Sequence, residues 1–188
     1  MYKVNEIFYS LQGEGFHTGR AAIFVRMSGC NLHCAFCDTD YSAFTLQTAD
    51  QIAERVFAYS TDPKTLIVLT GGEPSLQADA VLIDALHRHG QTIAIETNGT
   101  HPLPEGIDWV TISPKAGATV VLTQVNEVKV VLTAETLPDL PQWLKRYPKA
   151  HHYLQPCSQQ NTDETVAYIL SHPAWRLSLQ THKYIHIP

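Results

Sequence analysis

Apolar residues fall along this chain in short blocks separated by polar loops, and the blocks change period as the chain proceeds. Positions 4–10 and 21–26 are rich in β-branched and aromatic residues and read as strands. Thr48-Ala49-Asp50-Gln51 has the spacing of a capping box, and Ile52, Val56 and Phe57 follow at helical intervals. That pattern predicts a helix of about three turns. Residues 65–70 form a continuous apolar run, as a strand buried on both faces requires, and it stops at Gly71-Gly72-Glu73-Pro74. A second helix is expected over 76–89 with Gly90 as its stop, and another buried strand over 92–96, ended by Asn98-Gly99. Further on, 109–112 and 127–132 read as strands and 138–146 as a helix with Pro138 in its first turn. A short strand over 152–155, a helix over 162–171 capped by Asn161 or Thr162, and a last strand over 175–180 complete the pattern.

Strands alternating with helices imply right-handed βαβ crossovers and a mainly parallel sheet. A complete (β/α)8 barrel takes about 250 residues, and this chain has 188. The expected fold is therefore α/β: an incomplete, open β/α barrel over residues 1–188 as a single domain, with some helices reduced to loops. In such sheets ligands bind beyond the carboxyl ends of the strands. The unusual loops all follow strands: 30–37, 71–74, 97–99, 113–115 and 155–158. One face is expected to collect them.

The candidate chemistry begins with three cysteines in eight residues, Cys30-Asn31-Leu32-His33-Cys34-Ala35-Phe36-Cys37. Thiolates select zinc, copper(I) or iron–sulfur clusters. Structural zinc usually takes a second, distant ligand pair, which does not follow here, and His33 stands too close to Cys34 to complete a tetrahedron with it. Three thiolates on a [4Fe–4S] cube leave one iron open to a small chelating molecule, whereas an electron carrier normally uses four. Three clustered cysteines cannot all pair as disulfides. The opening MYKVNEIFYS also lacks the charged and apolar regions of a secretory signal. Reduced, cytoplasmic cysteines are expected. Cys157, far along the chain, reads as a small buried hydrophobe rather than a fourth thiolate.

Net charge is −5 with histidines neutral, which argues against a nonspecific nucleic-acid binder. No apolar run reaches the roughly 20 residues of a membrane span. A small-molecule substrate fits these properties. Gly71 and Gly72 lack Cβ atoms, so a ligand can approach their backbone, although an ordinary turn would use the same pair. Of the ten histidines only His182 and His186 are candidates to lie near a substrate.

The C-x3-C-x2-C spacing resembles that of radical S-adenosylmethionine (SAM) enzymes. Further segments narrow the resemblance: Leu11-Gln12-Gly13-Glu14-Gly15, Arg26, Cys37-Asp38-Thr39, Thr70-Gly71-Gly72-Glu73-Pro74, Glu96-Thr97-Asn98-Gly99, Ser113-Pro114-Lys115 and Leu179-Gln180-Thr181-His182-Lys183. In order and from end to end, these are similar to the 7-carboxy-7-deazaguanine synthase family. The resemblance implies the radical-SAM type of open barrel. It also implies conversion of 6-carboxy-5,6,7,8-tetrahydropterin to 7-carboxy-7-deazaguanine by radical ring contraction, with loss of ammonia, in queuosine and 7-deazapurine biosynthesis.

On that resemblance Cys30, Cys34 and Cys37 would hold a [4Fe–4S] cluster. SAM would be held by Phe36, Cys37, Asp38, Gly72, Ser113, Pro114, Lys115 and Gln155. Thr39 would ligate Mg2+, a hard cation suited to oxygen donors. Leu11, Gln12, Gly13, Glu14, Arg26, Thr70 and Pro188 would meet the pterin, with Arg26 suited to its carboxylate. For Arg26 the plain alternative is a surface ion pair. The resemblance further implies an electron donor such as flavodoxin or ferredoxin, and a homodimer. Two rivals stand beside it: a radical SAM activase acting on a glycine of a partner protein, and a noncatalytic iron–sulfur electron carrier using Cys157 as fourth ligand.

Overall fold

The structure is a computed structural model that describes residues 1–37, 39–40 and 42–188; Asp38 lies outside the described residues. Among the described residues nine strands form one sheet in the order β3-β1-β2-β4-β5-β6-β7-β8-β9. They are β1 (Tyr2–Leu11), β2 (Ala21–Met27), β3 (Thr45–Gln47), β4 (Leu66–Gly71), β5 (Ile93–Thr97), β6 (Trp109–Ile112), β7 (Glu127–Leu132), β8 (His151–Pro156) and β9 (Arg176–Leu177). β1 runs antiparallel to both β2 and β3, and every pair from β2 through β9 is parallel. Among the described residues β3 and β9 do not pair with each other, so the sheet is open, as its length predicts.

The helices are α1 (Ala49–Tyr59), α2 (Ala80–Leu86), α3 (Leu140–Arg146), α4 (Thr162–Ser171) and α5 (Thr181–Ile185). The capping box of α1 is present in full, with Thr48 and Gln51 bonding each other's backbone N–H. Its apolar face (Ile52, Ala53, Val56) packs with Leu82, Ile83 and Leu86 of α2 against Val25, Ile67, Leu69, Ile93 and Ile95 of the sheet. A second core joins Leu140 and Trp143 of α3 to Val128, Val130 and Leu154. On the opposite face of the sheet a smaller core holds Ala22, Leu66, Val68 and Ala94. Burial on both faces explains the unbroken apolar run of β4.

Three expectations need correction, and one strand was missed. The helix expected over 76–89 is broken: a 3-10 turn covers Pro74–Leu76, and α2 begins only at Ala80, where Asp79 accepts from the Leu82 N–H. A capping carboxylate inside the apolar pattern resets the start. Asn161 does not cap α4 with its side chain; it is held instead by accepting from the Cys157 N–H and donating to the Leu132 carbonyl. The last strand is only two residues long. After it the chain turns into the short helix α5, which bridges toward β1: Thr181 N–H donates to the Gly13 carbonyl at 2.9 Å, and Ser10 Oγ donates to the Pro188 carbonyl at 2.8 Å. β3 was not legible, being three residues of which two are exposed.

Candidate active site

A cavity of about 510 Å3 opens at the carboxyl ends of the parallel strands and extends into the curl of the sheet. Its rim is made from loops. Cys30, Cys34, Phe36 and Cys37 come from the loop after β2, Gly71, Gly72 and Glu73 from the end of β4, Ser113 and Lys115 from the loop after β6, and Gln155 to Ser158 from the end of β8. The Gly-Gly pair is required by the protein itself. A Cβ on Gly72 would stand 2.1 Å from the Gly29 carbonyl oxygen, at the start of the cysteine loop. Gly72 N–H donates to the Met27 carbonyl and Glu73 N–H to that of Gly29, so the two loops are laced together backbone to backbone.

Glu73 is 1 % exposed and acts as the clasp of the rim. Its Oε1 accepts from Ser75 N–H at 2.9 Å and Thr97 Oγ1 at 2.6 Å, and its Oε2 from Asn98 N–H at 2.7 Å. Asn98 in turn donates to Asn31 in the cysteine loop. Lys115 donates to Ser113 Oγ at 2.7 Å and lies 5.9 Å from the centroid of the Phe36 ring. Burial pushes the Lys115 ammonium below its ordinary value, with Cys34 opposing.

The floor is charged. Period-two alternation in β5 and β7 puts Ile93, Ile95, Val128 and Val130 outward into the helix-facing cores and leaves Glu96, Glu127 and Lys129 on the inner face. Lys129 donates to Glu96 Oε2 at 2.8 Å and closely to Glu14 Oε2. Gln12 donates to Glu96 Oε1 at 2.8 Å and Gln180 to Glu14 Oε1 at 2.9 Å. Below this layer Phe16 stacks on Trp109, with His151 and His17 alongside, covering the amino-terminal ends of β6 and β8.

This arrangement matches known proteins. The Radical SAM superfamily matches residues 24–130. Over the whole chain, 54 % identity relates it to the 7-carboxy-7-deazaguanine synthase of Bacteroides thetaiotaomicron, of which 99 % is covered. The enzyme of the same name from Caulobacter vibrioides is 45 % identical, again over all of this chain and 99 % of the relative. The crystal structure of QueE from Escherichia coli superposes with a TM-score of 0.79 at 29 % identity, covering 95 % of this chain and 93 % of that one. The chain belongs to the 7-carboxy-7-deazaguanine synthase family. It is thereby a radical SAM enzyme, and that superfamily uses a [4Fe–4S] cluster and SAM.

The donor set fits those groups. In this 7-carboxy-7-deazaguanine synthase family member all four cysteines are free thiols, and Cys30, Cys34 and Cys37 line one cavity. Of the residues expected at the site, Leu11, Gln12, Gly13, Glu14, Arg26, Phe36, Thr39, Thr70, Gly72, Ser113, Lys115, Gln155 and Pro188 line it too. Pro114 is buried, and Asp38 lies outside the described residues. The five strand-following loops expected to gather on one face all contribute to this cavity. Residues 12–14 follow β1, which runs against its neighbours, so they enter from the opposite end and form the floor. Arg26 does both things considered for it: it pairs with Glu6 at 2.7 Å and lines the cavity.

Cys157 is half-buried in the cavity wall rather than in a core. His182 lines the cavity, and its ring lies where a Cβ on Gly13 would stand, 2.2 Å from Nδ1. Sequence reading missed the part played by Glu73, Glu96 and Lys129. The available signal was Glu127-Val128-Lys129-Val130, a strand in which the charges alternate with core valines.

The electrostatics follow from burial. Burial opposes ionisation of Glu14, but Lys129 and Gln180 outweigh it and hold the carboxyl below its ordinary range. For Lys129 burial is likewise overcome by Glu14, Glu96 and Glu127, and the ammonium is held well above its ordinary value. For Glu127 burial outweighs the opposing pull of Lys129 and the Phe16 N–H, and the carboxyl is raised to about 6.

Proposed function

We propose that this protein converts 6-carboxy-5,6,7,8-tetrahydropterin to 7-carboxy-7-deazaguanine by radical ring contraction with loss of ammonia, acting as one domain over residues 1–188. One observation carries the reading: a three-cysteine rim and a floor of hydrogen-bond acceptors face each other across a single cavity. Bound at the rim, the cluster and SAM would supply a carbon-centred radical able to take a hydrogen atom from the substrate.

The chain's own residues bind, orient and exclude water. Cys30, Cys34 and Cys37 hold the cluster. Phe36, Gly72, Ser113, Pro114, Lys115 and Gln155 would hold SAM. Thr39 offers an oxygen to Mg2+, which keeps few protein ligands. Arg26, fixed by Glu6, meets the substrate carboxylate with a charge-assisted bond. Gln12, Glu14 and the Leu11 and Gly13 backbone meet the donor-rich pterin edge, while Thr70 and Pro188 close the sides.

Reduced cysteines suit a cytoplasmic enzyme supplied with electrons by a flavodoxin or ferredoxin. Among the described residues no helix is long and apolar enough to cross a membrane. Exposed Val166 and Leu170 on α4, next to the open edge at β9, favour a homodimer, and light scattering should return twice the 21.0 kDa chain mass.

The decisive experiment is anaerobic incubation with SAM, a reductant, Mg2+ and the carboxypterin, followed by mass analysis. Appearance of 7-carboxy-7-deazaguanine is expected. Release of 5′-deoxyadenosine with the pterin left intact would overturn the reading.

A further inference from the structure

Lys129 is a lysine on the inner face of a sheet, 3 % exposed, and burial of an ammonium is tolerated only where charge is matched. It is matched twice. One N–H goes to Glu14 and another to Glu96. These carboxylates arrive from unrelated places, the turn after β1 and the end of β5, and meet at one nitrogen. Since both oxygens bond that nitrogen, they lie within roughly 6 Å of each other. The remaining oxygen of each is fixed by a glutamine, Gln180 or Gln12. An ionised carboxylate accepts at about four lone-pair positions, so each still has capacity toward the cavity that it lines.

We propose that Lys129 is a positioning residue that keeps Glu14 and Glu96 together as an ionised acceptor pair for the N–H-rich edge of a reduced pterin. The proposal rests on the function proposed above. A tetrahydropterin presents its 2-amino group and ring N–H groups as donors, and a protonated carboxyl would oppose one of them with a donor of its own. Without Lys129, two half-buried carboxylates at this spacing repel each other with no cation between them, which favours uptake of a proton by the pair.

Other charged groups face this cluster. Glu127 lies on the same strand, His182 of α5 faces Glu14, His17 faces Glu96 with burial holding its imidazole down to about 4, and Lys115 lies toward the rim. Of these, Lys115 and His182 can only help keep the carboxylates ionised, and Glu127 adds a further negative charge when it is deprotonated.

The test is anaerobic titration of the reconstituted holoenzyme with the carboxypterin, in the presence of SAM and without reductant, so that binding is read without turnover. Wild type should bind with a dissociation constant that changes less than about twofold between pH 7 and 9. Lys129→Met should bind about 30-fold more weakly at pH 7 and recover toward pH 9, by up to about tenfold per pH unit. Lys129→Arg, which keeps the charge, should restore the flat profile.

Loss of affinity in Lys129→Met that is equal at every pH would mark a merely structural role and overturn the proposal, as would unchanged binding. Failure of the wild type to bind would overturn the functional reading along with it, so the two failures are distinct. If Lys129→Met does not fold, calorimetry of the wild type at pH 8 in two buffers of different ionisation enthalpy decides. No proton release on binding is expected, and release approaching one proton would overturn the proposal.

Discussion

The rim and the floor of the cavity each centre on carboxylates that gather hydrogen bonds, and they differ in what supplies the donors. At the rim, Glu73 collects two backbone N–H groups and a hydroxyl, all uncharged, from the loop after β4 and the end of β5 with the loop after it. On the floor, Glu14 and Glu96 are held by an ammonium and two glutamine amides, and both face the cavity. The rim carboxylate builds a backbone surface, and the floor carboxylates present charge. A backbone cradle suits a cofactor gripped by main-chain groups. A charged floor suits a small molecule read by its donors and acceptors.

Substitutions should therefore break the two regions in different ways. The largest effect is expected at Gly72→Val, where the new side chain meets the Gly29 carbonyl rather than an empty pocket. Overpacking against backbone should cost about 3 kcal/mol or more and lower iron incorporation, read by urea denaturation and iron assay. Glu73→Ala leaves three donors at the rim without their acceptor and should cost about 3 kcal/mol, with Glu73→Gln milder. If its denaturation midpoint matched wild type, the rim would not depend on that clasp.

Beneath the floor the sign reverses. Burial raises Glu127 from 4.5 to about 6, so the folded state binds its proton more tightly than the unfolded state does. Its contribution to stability is greatest below the unfolded value and is lost as pH rises through about 6. Glu127→Gln should thus stabilise the protein at pH 8 by up to about 2 kcal/mol, with the gain fading below pH 5. Thermal melts of both proteins across that range would show it. The smallest change in stability belongs to Arg26→Ala. Its partner Glu6 is half-exposed, and such pairs contribute about 0.5 kcal/mol or less. The KM for the pterin should nevertheless rise about tenfold or more, because a charge-assisted contact is removed.

The rim was largely legible in the sequence because its elements are local. Cysteine spacing, Gly-Gly after an apolar run and Ser113-Pro114-Lys115 after a strand each lie within a few residues. The parallel order and the open sheet followed from alternation and length. The floor was only half legible. Gln12 and Glu14 were named on resemblance, but their partners Lys129 and Glu96 are 115 and 84 residues away from Glu14 and Gln12 respectively. No local pattern reports which inward positions of β5 and β7 meet a loop entering from the far end. Helix α2 was overextended for a related reason: the apolar period continued through Asp79, whose cap bond to Leu82 starts the helix.

The clasp at Glu73 also has a consequence for motion. Ser75 and Asn98 give their amide protons to one carboxylate, though they belong to loops following different strands. Neither amide can exchange with solvent deuterium until that carboxylate lets go, and letting go frees both. The loops after β4 and β5 should then open as one cooperative unit. Through the bond from Asn98 to Asn31, the cysteine loop is tied to the same unit. Hydrogen exchange should report matched protection at Ser75 and Asn98, rising and falling together as the rim is filled or emptied.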